Sequence, residues 1–242
     1  MGFVQPTLAS MEKSDDNMNI TLIDEQIKNM ELVVPNGESL VLNLAAFKGF
    51  PNTSISVKVQ SNASFNGAFA DFSSGSGKFI INVDLIGDGS RCDWHLSSLA
   101  NDVDRKIFDT SVTHNAKNTE AEMSNYGITQ GSSHLTFTGI SSIKNGSIKT
   151  ITRQVAKIIV FDPLSDGKCS PILKIDENDV EASHAAIVGR LNEDHLFYLL
   201  SRGISLNAAR RLITLGYLKP VEQYFNDEKL IERIDASIEE GI

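Results

Sequence analysis

Short apolar runs of period two fill the chain from Met30 to Ile175. Ile55, Val57 and Val59 alternate with Ser56 and Lys58, and Phe79, Ile81, Val83 and Leu85 share one parity. A strand turns successive side chains to opposite faces, so each run predicts a half-buried strand. Leu40 to Leu44, Ile107 to Val112, Leu135 to Ile143 and Ile158 to Phe161 follow the same rule. Between them stand Pro35-Asn36-Gly37, Asn66-Gly67, Gly87-Asp88-Gly89 and Asn145-Gly146, which read as turns needing positive φ. Many short strands of this kind predict a sandwich, a barrel or a β-helix, and no strict repeat period chooses among them.

After Gly189 the pattern becomes helical. Asn192 reads as an N-cap, with Glu193 and Asp194 at the positive end of the helix dipole and Gly203 as the stop. Ser205 caps a second helix that carries Ala208, Ala209, Leu212 and Ile213 on one face, with Gly216 just past its end. Beyond Pro220, an apolar stripe of Val221, Tyr224, Phe225, Ile231, Ile234 and Ile238 runs beside six acids and predicts a third helix. The expected organisation is an N-terminal segment (1–29), a β core (30–189) and a helical domain (190–242). So small a helical domain must pack on the β region or on a partner.

Composition narrows the function classes. With 41% hydrophobic and 22% charged residues in 242, the chain can fold as one large domain plus an appendage. Its net charge of -9 disfavours nucleic-acid backbones and anionic lipid as partners. No apolar run nears the roughly 20 residues that span a bilayer, and Met1 to Met30 lacks a signal-peptide pattern, so a soluble cytoplasmic protein is expected. Two cysteines cannot build a disulfide scaffold.

Few motifs carry chemistry. Ser76-Gly77-Lys78 lacks the remaining residues of a phosphate-binding loop, and no nucleophile elbow or His-Glu-x-x-His occurs. Cys92 and His95 are three apart, hence on opposite faces of a strand. Trp94, Phe65, Phe69 and Phe72 read as core residues. Cys169 sits beside Lys168 in the turn-like Asp166 to Pro171, where a thiol is expected to be exposed and partly activated.

The stretch from Gln154 onward resembles the C-terminal half of the SufB/SufD family of iron-sulfur cluster assembly scaffolds. Gln154, Ser170-Pro171 to Ile175, Asn178 to Gly189, Asn192 to Ile204, Ala208-Ala209 and Leu215-Gly216-Tyr217 carry the similarity. A weaker match runs back through His114 and Phe137-x-Gly139-x-x-x-Ile143. The resemblance implies a mainly β fold, a right-handed parallel β-helix core with a small C-terminal helical domain, and a non-enzymatic scaffold. It implies pairing through the β-helix with a SufB-like subunit or an identical one, and docking of a SufC-type ABC ATPase on the C-terminal helices.

His184 matches the family's motif histidine. With Cys169, it is the candidate for transient handling of iron or an iron-sulfur cluster at a subunit interface; no stably bound cofactor is expected. SufB-type members carry Cys after the matching Gln and Glu after the motif His. Val155 and Ala185 stand there in this chain, which places it on the SufD side. The ATPase-docking residues implied are Leu196, Phe197, Tyr198, Leu200, Arg202, Gly203, Ala209, Leu212 and Ile213. The rival expectation, from strand pattern alone, is a carbohydrate-binding or carbohydrate-active β-helix with a carboxylate cluster in a flank cleft.

Overall fold

The computed structural model describes residues 11–14, 17–191 and 193–241. The described residues form fourteen strands: β1 (Met11–Ser14), β2 (Asn17–Ile23), β3 (Met30–Val34), β4 (Ser39–Ala46), β5 (Thr53–Val59), β6 (Ser64–Asp71), β7 (Ser76–Leu85), β8 (Arg91–Ala100), β9 (Arg105–His114), β10 (Glu120–Thr129), β11 (His134–Ile143), β12 (Thr150–Val160), β13 (Asp166–Ile175) and β14 (Val180–Arg190). Three helices follow, α1 (Glu193–Ser201), α2 (Leu206–Leu218) and α3 (Glu228–Glu240), with a 3-10 segment, Lys219–Tyr224, before the last. The strands alternate between two sheets, β1-β2-β4-β6-β8-β10-β12-β14 and β3-β5-β7-β9-β11-β13. All pairs are parallel except β1 with β2. This is the β-helix among the three architectures that the strand pattern allowed. Its first parallel strand is β2, so the coil starts ahead of residue 30.

Each coil contributes one strand to each sheet, and the interior lies between them. Phe69, Trp94, Phe79 and Phe108 meet there, with Phe69–Phe79 ring centroids 4.7 Å apart and Phe108–Phe137 5.7 Å apart. Full burial of one such side chain contributes roughly 1.5–3 kcal/mol. Phe65, Phe69 and Trp94 are buried as expected, and Phe72 packs on the outer core instead. Gly67 is not a turn residue. It lies within β6 opposite Trp94, and a Cβ on it would stand 2.6 Å from the indole Cε3. The glycine makes room for the tryptophan.

The lack of a strict repeat has a geometric cause. Ser39 pairs with Asn17, Ser64 with Ser39, Arg91 with Ser64, Glu120 with Arg91 and Ile151 with Glu120, so the offset grows from 22 to 25, 27, 29 and 31 residues. One corner nevertheless recurs in every coil. Gly37, Asn62, Gly89, Asn118 and Lys149 all take left-handed backbone angles, φ 55 to 73°. Their N–H groups donate to Ser61, Asp88, Lys117, Ile148 and Asp179 carbonyls of the next coil. What repeats is the backbone conformation, not the residue.

A second core joins the helices to the outer face of the first sheet. Ala45, Ala68, Ala70, Leu99, Ile128 and Phe161 of the sheet side meet Leu218, Val221, Phe225, Leu230, Ile234 and Ile238. Small residues on the sheet let the helices lie close. Ser205 caps α2 by accepting from the Ala208 amide, and Asp227 caps α3 through the Lys229 and Leu230 amides. The expected cap Asn192 lies outside the described residues. Gly216 does not end α2, which runs on to Leu218 because that leucine is needed in the second core. Pro220 then forces a 3-10 turn, so the expected third helix is split into that turn and α3.

Candidate functional site

The two sheets end at different depths of burial. On β12 the even-numbered residues from Thr150 to Val160 point into the coil and are buried. Register carries this lane to β14, where Gln154 pairs with His184. On the other sheet Phe137 of β11, fully buried, pairs with Cys169 of β13. His184 and Cys169 thus stand on the inward lanes of the final coil, at the end where the interior opens. Among the described residues no further strand covers β13 or β14, and Ile172, Ile175, Ile187 and Val188 are exposed on them.

Cys169 lies in a strand rather than a turn and packs against the interior core. Burial pushes its thiol up to about 11, opposite to the expected activation. Cys92 is buried on the inward face of β8, and its thiol is raised further by the same cause. His95 lies on the opposite face, as the spacing requires. Among the described residues, no three His, Cys, Asp or Glu side chains come together as a metal-ligand set.

Below the open end the interior is polar. Gln154, 4% exposed, donates from Nε2 to Ser141 Oγ at 2.8 Å and to the Ile172 carbonyl at 3.1 Å, while its Oε1 has no partner. A Cβ on Gly139 would lie 2.6 Å from that Oε1, so the glycine makes room for the amide. Deeper, His114 Nδ1 meets Thr119 Oγ1 at 2.8 Å, and Thr119 meets Thr150 Oγ1 at 3.0 Å. The parity shared by Lys106, Phe108, Val112 and His114 already carried the signal that this histidine faces inward.

Burial lowers the His114 imidazole to about 4. A histidine depressed on folding contributes stability that is complete above its unfolded value and is lost as pH falls through the folded one. The shift from an ordinary value near 6.5 corresponds to about 3 kcal/mol, lost between about pH 6.5 and 4. Urea unfolding near neutrality and at about pH 4.5 checks this: wild type should lose most of that increment, and His114→Asn should not.

Val155 and Ala185, the two positions that depart from the SufB pattern, are register partners on the outward lane of β12 and β14. Together they make that spot of the outer face aliphatic.

The helical residues divide in two. Ala209 is fully buried and Ile213 packs on the second core, so both hold α2 against the sheet rather than face a partner. Phe197, 73% exposed, stands with Tyr198, Leu200 and Leu212 as an uncovered apolar surface of α1 and α2. Arg202 lies over the Tyr198 ring at 5.0 Å, and Leu196 is half-buried. Gly203 follows α1 with φ 82°, the left-handed conformation that stops the helix there.

A cleft that the sequence did not disclose runs between the first sheet and the 3-10 segment. It comprises adjoining cavities of about 340 and 240 Å³ that share His95, Gln223 and Tyr224. The His95 and Tyr224 rings stack at 3.8 Å, and Asn43 Nδ2 donates to the Tyr224 carbonyl at 3.0 Å.

Fold and open end define the class: a two-sheet parallel β-solenoid whose last coil is uncovered and whose helical appendage presents an apolar face. The chain belongs to the family "SUF system FeS cluster assembly, SufBD core domain", whose model matches residues 46–217. It is 33% identical over 160 residues to the iron-sulfur cluster assembly protein SufD of Bacillus subtilis (strain 168), covering 66% of this chain and 37% of that protein. It is 27% identical over 153 residues to SufD of Escherichia coli (strain K12), covering 62% and 36%. A SufBD family protein, ycf24 of Porphyra purpurea, is 25% identical over 152 residues, covering 63% and 31%. The matched region thus spans about a third of the length of these relatives. Among the described residues, no helix is long and apolar enough to cross a membrane.

Proposed function

We propose that the chain is a non-catalytic scaffold subunit of a SUF-type iron-sulfur cluster assembly complex. The observation that carries this reading is the uncovered last coil. β13 and β14 present free edges and exposed isoleucines, a template for pairing with another chain that natural sheets otherwise blunt. A SufB-like subunit or a second copy of this chain would cover it. His184 and Cys169 would then lie at the joint, supplying an imidazole and a thiol to iron or a cluster as cargo. Because the thiol is held protonated, it would bind metal only with loss of its proton.

The second half of the proposal is the docking of a SufC-type ABC ATPase on α1 and α2. Phe197, Tyr198, Leu200 and Leu212 support it, since a patch of large apolar groups on a small appendage fits a partner surface. Only two residues separate the last residue of β14, Arg190, from the first of α1, Glu193, so movement at the ATPase would reach the pairing edge directly. Such coupling requires two discrete states of the joint. The carbohydrate-active alternative needs two carboxyl groups facing each other across a cleft. The cleft beside the 3-10 segment has Asp93 as the one carboxylate in its lining.

Co-purification with the SufC-type ATPase of the same organism tests the docking surface. Wild type should retain the ATPase and alter its ATP hydrolysis, and Tyr198→Ala with Arg202→Ala should weaken retention by at least about tenfold, as for loss of an interface hot spot. Retention unchanged in that variant would place docking elsewhere. No association in any nucleotide state would remove the ATPase from the account.

A further inference from the structure

Polar atoms buried without a hydrogen-bond partner are rare in native proteins, because each costs the desolvation it does not recover. Three of the eight such side-chain atoms among the described residues belong to the cleft between the first sheet and the 3-10 segment: Asn43 Oδ1, Asp93 Oδ1 and His95 Nε2. Asn43 itself is 6% exposed. Asp93 Oδ1 and His95 Nε2 are 2.9 Å apart but are not aligned as a hydrogen bond, so neither satisfies the other.

The cleft exists because of a truncation in the sheet. Register sets Asn43, Ala68 and His95 side by side on three neighbouring strands, β4, β6 and β8. The middle residue ends at Cβ, which leaves a floor between two polar walls. Tyr224 closes the outer side. Among the described residues, no lysine or arginine lines either cavity, and Asp93 is the one carboxylate in the lining. The volumes, about 340 and 240 Å³, suit a small molecule rather than a macromolecular surface.

We infer that this cleft binds a small organic cation of the alkylammonium or alkylguanidinium class, whose N–H groups donate to Asp93 Oδ1 and Asn43 Oδ1. The lining asks for a donor at two buried acceptors, and its one carboxylate, which has no lysine or arginine beside it and only the His95 imidazole within 2.9 Å, leaves room for positive charge. Tyr126, Tyr217 and Tyr224 add aromatic surface along which an alkyl stem can lie. Part of the outer wall, Pro220, Gln223, Tyr224 and Asn226, lies beyond residue 217, where the family match ends. The 3-10 segment after α2 thus supplies part of the wall, and strands β4, β6, β8 and β10 supply most of the rest.

Agmatine, which carries both head groups, is the probe. Titrated into the full chain and followed by calorimetry and by amide NMR, it should bind saturably and perturb Asn43, His95 and Tyr224. Asp93→Asn should weaken binding by at least about tenfold, the scale of a lost charge-assisted hydrogen bond, while Asp84→Asn on the second sheet should not change it. The Asp93 side chain is nearly half exposed, so the variant keeps the fold, and the wild-type NMR map stands independently of it. The inference is overturned if agmatine shows no saturable binding, if Asp93→Asn binds as well as wild type, or if the neutral analogue butane-1,4-diol binds equally. Binding of Mn²⁺ alone, with none of agmatine, also overturns it.

Discussion

Replacing Lys106 with alanine is expected to destabilise the protein by about 3–5 kcal/mol, the cost of leaving its buried partner charge uncompensated. Lys106 and Asp71 are both fully buried inside the coil, with Nζ and Oδ2 2.9 Å apart. The ammonium also donates to the Ser73 carbonyl at 2.5 Å and the Leu99 carbonyl at 2.7 Å, and the Phe50 ring lies 5.7 Å away. Asp71 accepts in addition from Ser73 Oγ at 2.5 Å and Ser98 Oγ at 2.7 Å. Every hydrogen of the ammonium and both carboxylate oxygens are therefore engaged, which is the condition under which a buried pair survives its desolvation. Lys106→Met should be nearly as damaging as Lys106→Ala, because the carboxylate is stranded in both. Lys106→Met combined with Asp71→Asn should cost clearly less than the sum of the two single changes. Denaturant unfolding of the four proteins measures the coupling, and additive costs would show that the pair does not act as a unit.

The second large effect is expected at Gly87, in the corner between β7 and β8. A Cβ there would sit 2.0 Å from the Ser61 amide nitrogen and 2.4 Å from the Gln60 carbonyl carbon. Both are backbone atoms of the preceding coil, held in the corner ladder, so no rotamer change relieves the clash. Gly87→Ala should cost about 3 kcal/mol, at the upper end for overpacking, and reduce the yield of folded protein. Gly89→Ala, two residues on, meets chiefly the Asn62 side-chain oxygen and has a φ of 71°. It should cost only about 1–2 kcal/mol, from left-handed strain. Equal effects at the two positions would mean that coil spacing adjusts more freely than the contact distances imply. The two glycines look alike in the sequence and act for different reasons.

Much of the fold was legible in the sequence because burial follows parity. Phe79, Ile81, Val83 and Leu85 face inward as their alternation requires, and the change of pattern at Gly189 lies within a few residues of the start of α1. The coil itself was less legible. Its period drifts, and its recurring corner is occupied by Gly, Asn, Gly, Asn and Lys, which share a backbone conformation but no residue type. Asn66-Gly67 has the composition of a turn and lies in a strand, because its role depends on Trp94 one coil away.

The site divides in the same way. His184 and the docking residues of α1 were expected from the family resemblance, not from a local pattern. That Val155 adjoins Ala185, or that Asn43, Asp93, His95 and Tyr224 enclose one cleft, depends on pairings across long stretches of chain, which no local pattern encodes. Ala209 and Ile213 shared an apolar face with Leu212 in the helical pattern, but the outer sheet, absent from any helical wheel, takes the first two and leaves Leu212 exposed.

The central claim is that another subunit covers the last coil. Native mass spectrometry of the chain alone and co-expressed with a SufB-like subunit tests it most directly, with Ile187→Lys on β14 as the comparison, since Ile187 is exposed on the pairing edge. The account predicts a stable homodimer or a stable heterodimer with the wild-type chain, and its loss in the Ile187→Lys protein while the monomer stays folded. A chain that remains monomeric in both mixtures would contradict it.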